Sequence, residues 1–213
     1  MNSVSDKWSD LWLVAGLRGD PLRWLRQLTQ AYSEPHRHYH TLRHVTECLT
    51  EFDAVRHLAR QPVAVEMAIW FHDAIYDTHA QDNEERSAEL AAQCLSEVGA
   101  NGSLIETVKR LVLSTKSHDA AMDVDAPLMV DMDLSILGQS RERFHEYEIQ
   151  IRQEYAWVPE AVFAAKRAEI LGRFLARERN YATSWFSMKY EEQARGNLQD
   201  SVSKLRKGEL PRY

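Results

Sequence analysis

Two adjacent ionisable residues interrupt an otherwise apolar stretch in Ala68-Ile-Trp-Phe-His72-Asp73-Ala-Ile-Tyr76-Asp77. A carboxylate buried without a partner is prohibitively costly, so Asp73 requires a cation or strong hydrogen-bond donors. If the apolar run Val63 to Ile75 is one helix opened by Pro62, successive side chains point about 100° apart, and the doublet does not satisfy itself. A divalent cation meets both needs, because it accepts an imidazole nitrogen and a carboxylate oxygen together. The plainer alternative is a buried His-Asp pair satisfied by other side chains or by helix ends.

Upstream, His36-Arg-His38-Tyr-His40-Thr-Leu-Arg43-His44-Val45 supplies further imidazoles. His40 and His44 are four residues apart, hence on one face if a helix has begun by His40. His44 lies beside an apolar stripe and is the stronger ligand candidate. His40, at the helix mouth, is placed to meet substrate or a second metal, and His36 and His38 read as polar loop. Downstream, Pro127-Leu-Met-Val-Asp131-Met-Asp133-Leu-Ser-Ile-Leu-Gly138 again sets acids into an apolar run. Asp131 and Asp133 point about 200° apart on a helix, so one at most faces a given site. The other is expected to be exposed or to act as a helix-terminal charge.

The elements that must carry these residues are helices. Asp20-Pro21 is an N-cap followed by a first-turn proline, with Trp24, Leu25, Leu28 and Tyr32 at helical spacing. Thr41 opens the next helix, with Leu42, Val45, Leu49 and Phe52 as its stripe, and Pro62 opens a third that is apolar all round and therefore buried. Asp82 with Glu85, and Ser103 with Glu106, have capping-box spacing, and Gly99 falls where a glycine ends the helix between them. Pro127–Leu137, Ser140–Tyr155, Pro159–Arg177 and Ser184–Lys207 complete about nine helices, and no run alternates as a strand would. The expectation is an all-α, single-domain chain.

Composition bounds the function. With 213 residues, 44% of them hydrophobic, the chain can bury a sizeable core. A net charge of −6 argues against general nucleic-acid binding, which needs a basic face, but leaves room for a small phosphorylated substrate beside a local cation. Cys48 and Cys94 lack metal or redox spacing and read as reduced core thiols. The segment from Met1 to Gly16 carries Asp6, Lys7 and Asp10 without a continuous apolar run, so it is not read as a signal peptide. No stretch is apolar enough for a membrane span. A cytoplasmic protein with no membrane partner is expected. The oligomeric state is open, a homodimer being compatible with the sequence.

Taken in order, His44, His72-Asp73 and Asp133 resemble the signature of the HD-domain superfamily of metal-dependent phosphohydrolases: a helix-borne His, a later His-Asp doublet and a distant Asp. Tyr39-His-Thr-Leu-Arg-His-Val45, Phe71-His-Asp-Ala-Ile-Tyr-Asp77 and Asn83-Glu-Glu-Arg-Ser-Ala88 are similar to a bacterial subgroup of predicted HD phosphohydrolases. The resemblance spans roughly residues 20 to 200. It implies an HD-type helical bundle with His44, His72, Asp73 and Asp133 as metal ligands, Asp133 being preferred to Asp131 because Asp-Leu-Ser-Ile-Leu matches the family's Asp before an apolar run. It implies hydrolysis of a phosphate ester, a nucleotide being one candidate, by metal-activated water, with Asp73 orienting that water or accepting its proton.

Related nucleotidases place an acid just beyond the doublet as proton donor. Tyr76 stands where some relatives carry Glu, so Asp77 is the expected substitute, with Glu84 and Glu85 as further candidates. Arg43 and Lys116 are the cations expected at the mouth, with His40 and His118 as further substrate contacts. His118 would alternatively serve a second metal, but two-metal forms usually have two such histidines, so one ion is expected. Tyr190 and Arg195 sit on a helix expected to pack over the core. A divalent transition metal (Mn, Fe, Co, Ni or Zn) suits the His-rich set better than Mg. The alternatives are an HD-fold di-iron oxygenase and a non-catalytic metal-containing binding module.

Overall fold

A computed structural model describes residues 4–118 and 123–212. Among these residues there are ten α-helices, two short 3-10 turns and no strand. The chain divides into two compact units, 1–130 and 131–213.

The first unit is built around a short helix that is buried at nearly every position. α1 (Val4–Val14) buries Trp8, Leu11 and Trp12 and is the helix that the sequence patterns do not predict. α2 (Pro21–Ala31) starts where expected, the Asp20 carboxylate accepting the Leu22 amide. α3 (Leu42–Val55) is capped by the Thr41 hydroxyl, which accepts the Arg43 amide. α4 (Pro62–Phe71) is buried from Ala64 through Phe71. It packs against α1, α3, α5 (Asn83–Glu97) and α6 (Gly102–Ser117), and α5 packs along α6. Cys48 and Cys94 are buried and neither is in a disulfide, as expected.

Three local expectations are corrected. α4 ends at Phe71, short of Ile75, with His72 as its C-cap. The backbone groups that would extend the helix are taken by side chains: the Asp73 and Ala74 carbonyls accept from Arg37, and the Ile75 amide donates to the Ser87 hydroxyl. Asp82 makes no side-chain cap, and Glu85 instead pairs with Lys116. The cap of α6 is Asn101, not Ser103, its side-chain oxygen accepting the Leu104 amide at 2.9 Å. Gly99 does close α5 in the left-handed conformation, with φ +79°.

α7 (Ala126–Asp133) leads from the first unit into the second. There the 3-10 turn Leu134–Gly138 is followed by α8 (Arg141–Glu154), α9 (Glu160–Ala176) and α10 (Ser184–Arg206). α10 packs along α9 and over the 3-10 turn. Gly138 permits that approach, because a Cβ there would lie 2.5 Å from the Tyr190 Cβ. Asn197 fastens the turn by donating to the Leu137 and Gln139 carbonyls at 2.8 and 2.9 Å. Asp131, expected to be exposed or a helix-terminal charge, is fully buried. Its carboxylate accepts the Ala182 and Thr183 amides, both at 2.8 Å, and the Thr183 hydroxyl, closing the start of α10.

Candidate metal centre

The first turns of α3 and the end of α4 bring two imidazoles together. His44 and His72 are 2% and 1% exposed, with their Nε2 atoms 3.0 Å apart. His72 is held by geometry that follows from where its helix stops. Its Nδ1 lies 2.9 Å from the Ile69 carbonyl, an oxygen that can only accept. That contact makes Nδ1 a protonated nitrogen, so Nε2, which faces His44, is the atom that can bind a cation when the ring is neutral. Asp73 completes the group, with Oδ2 3.1 Å from His72 Nε2 and 3.5 Å from His44 Nε2. The doublet therefore does close on itself, contrary to the helical expectation, because Asp73 lies beyond the last helical residue.

Burial works against ionisation of Asp73, yet the His72, His40 and His44 imidazoles outweigh it and hold the carboxyl well below its usual range. The cluster is thus a half-buried carboxylate faced by two buried imidazole nitrogens. Cys48, one turn after His44, joins it. Its Sγ is 3.8 Å from His44 Nδ1, and single ligand atoms of His44, Cys48 and His72 all lie within 4.8 Å of one another. Spacing of four residues could have flagged Cys48, but a lone cysteine on an apolar stripe reads as core.

The segment after the doublet is pinned on both sides. The buried Arg37 donates to the Asp73 carbonyl at 2.6 Å and to the Ala74 carbonyl at 3.0 Å. His36 Nε2 lies 2.9 Å from the Tyr76 carbonyl. From α5, Asn83 bonds the main chain of Asp77 through both its oxygen and its nitrogen. His36 and Arg37, read from sequence as loop, are therefore part of what shapes the site.

The remaining candidates are distributed around this segment. His40 precedes α3, which starts at Leu42, so it does not share a helix with His44; it stacks on Tyr76 at 4.1 Å between ring centroids, 6.0 Å from the His44 ring. Asp77 is exposed and its carboxylate accepts the His79 amide. Glu84 is half-buried; burial raises its carboxyl above the usual value and the charge of Asp73 adds to the rise. Glu85 is exposed, its carboxyl lowered by the Lys116 ammonium. Lys116 also donates to the Gln81 carbonyl at 2.8 Å. Arg43 points along α3 to Glu47 at 3.1 Å. His118 caps α6 in the left-handed conformation, φ 51°, and residues 119–122 after it lie outside the described set. Asp133 is the half-buried last residue of α7, in the second unit, where Arg195 donates to the Arg177 carbonyl and Tyr190 packs on Gly138.

No family model, curated protein or solved structure matches the chain.

Proposed function

We propose that this protein is a metal-dependent phosphohydrolase of the HD type, binding a divalent transition metal through His44, His72 and Asp73. The observation that carries the reading is the triangle of His44 Nε2, His72 Nε2 and Asp73 Oδ2, with sides of 3.0, 3.1 and 3.5 Å. Ligands bonded at about 2.0–2.2 Å and separated by about 90–110° lie about 2.8–3.6 Å from one another, so the three donors fit one ion. The fixed tautomer of His72 fits it too, because a ligating imidazole characteristically donates its other nitrogen to a carbonyl or carboxylate.

A metal in such a site supplies an acidified water and charge neutralisation for phosphate. The residues of the chain do the rest. Asp73 orients the water or accepts its proton at the carboxylate. Glu84 is favoured over Asp77 as the group that protonates the leaving oxygen. Its raised carboxyl retains its proton to higher pH, whereas the Asp77 carboxylate is engaged by the His79 amide. Stacked His40 and Tyr76 form a wall against which a substrate can lie.

Purified protein should retain a divalent metal through gel filtration and release phosphate from at least one member of a panel of nucleotides and simple phosphate esters assayed with Mn, Fe, Co, Ni and Zn. No release from any ester under every metal contradicts the hydrolase assignment. Metal retention without hydrolysis would leave the metal centre and remove the reaction.

A further inference from the structure

We infer that Arg37 is the positioning residue of the metal centre, the group that sets the segment carrying Asp73 against the segment leading to His44. The inference rests on the metal reading of His44, His72 and Asp73. The Arg37 side chain is 0% exposed. Its Nη1 donates to the His40 carbonyl at 3.2 Å and to the Asp73 carbonyl at 2.6 Å, and its Nη2 donates to the Ala74 carbonyl at 3.0 Å. Nε donates to Glu34 Oε2 at 3.0 Å. The Tyr32 and Tyr76 rings lie 5.2 and 5.5 Å from the guanidinium carbon.

Burying a guanidinium is expensive unless its donors are matched. Here three of its four bonds go to carbonyls on two separate stretches of chain. One stretch, with His40, runs into α3 and His44. The other, with Asp73 and Ala74, follows the end of α4 and His72. A single planar fork thus fixes both stretches at once, which the point charge of a lysine cannot reproduce. The sides of the ligand triangle that involve Asp73, 3.1 and 3.5 Å, depend on that registration, and coordination fails when donors drift by about 1 Å.

The test compares wild type with R37K, R37Q and, as a control, E34Q, which removes only the carboxylate partner. Uptake of Mn2+ and of Zn2+ is measured separately by equilibrium dialysis, with circular dichroism of the metal-free proteins and the visible spectrum of each Co2+-loaded protein. Folded R37K or R37Q should bind either ion about 10–100-fold more weakly than wild type, the usual effect of losing a residue that orients ligands, and should show an altered Co2+ spectrum. E34Q should bind as wild type does. A folded R37K or R37Q with wild-type affinity and spectrum overturns the inference and leaves the metal reading standing. If both variants fail to fold, Arg37 serves the fold and not the centre, which also overturns it. If wild type takes up no ion of the three, the metal reading falls and the inference falls with it.

Discussion

At the scale of single residues, hydrogen-bond roles decide what the centre can be. The Ile69 carbonyl holds a proton on His72 Nδ1, so Nε2, which faces His44 and Asp73, is the nitrogen that offers its lone pair to a cation when the ring is neutral. A lone pair in a buried site beside a carboxylate is the donor arrangement a cation requires. Replacing Glu84 by Gln removes the favoured proton donor, and general acid catalysis typically contributes about 100- to 10,000-fold. E84Q should therefore lower kcat by about 100-fold or more and abolish the alkaline fall in rate, since a general acid works only while protonated. D77N should change kcat far less. Equal losses in a pH-rate series would remove the distinction between the two acids. The ligand residues were legible in sequence because two ionisable groups inside an apolar run demand a partner. Arg37 was not, because nothing in a loop of His, Arg and Tyr marks which cation turns inward; only the carbonyls left open by the end of α4 explain it.

At the scale of elements, most helix starts follow from local chemistry. Asp20 and Thr41 cap α2 and α3 as their types and positions predict. The misses have a common cause, which is that tertiary partners override local pattern. α4 reads as helix through Ile75 but stops at Phe71, where side chains of the preceding loop and of α5 claim its carbonyls and amides. Asp131 reads as exposed or as an N-terminal helix charge; it is buried and closes the start of α10 from 51 residues away. Removing it by D131A strands buried amides and should cost about 2–4 kcal/mol of stability, seen as a lower Tm, while leaving metal affinity unchanged.

Glu66, the only charged group in α4, gives a pH test. Burial raises its carboxyl above the usual value, although the Arg56 guanidinium opposes the rise. The native state therefore holds this proton more tightly than the unfolded chain, and the stabilising contribution is full below pH 4.5 and is lost as pH rises through the native value. The Tm of wild type minus that of E66Q, both metal-free, should fall as pH rises above 4.5. A difference that grows as pH rises would reverse the sign of the shift.

At the scale of the whole molecule, the all-α class was read correctly and the helix count was one short. α1 shows no clear stripe in sequence, because its two tryptophans and Leu11 are too few, and its burial comes from packing on α2 and α4. No helix among the described residues is long and apolar enough to cross a membrane. Binding of a metal to the native state alone must raise the unfolding temperature. At one hundred times Kd the gain is about 2.7 kcal/mol. In a chain of this size that corresponds to a rise in Tm of about 5–10 °C, reversible by chelator.

The most direct measurement is metal stoichiometry and affinity for wild type and H72A, determined side by side by equilibrium dialysis with circular dichroism to verify folding. Wild type should hold about one equivalent of a divalent transition metal, and folded H72A should lose it, because His72 Nε2 is the donor facing both His44 and Asp73. A wild-type protein that holds no metal, or a folded H72A that holds it with wild-type affinity, would contradict the assignment of this cluster as a metal centre.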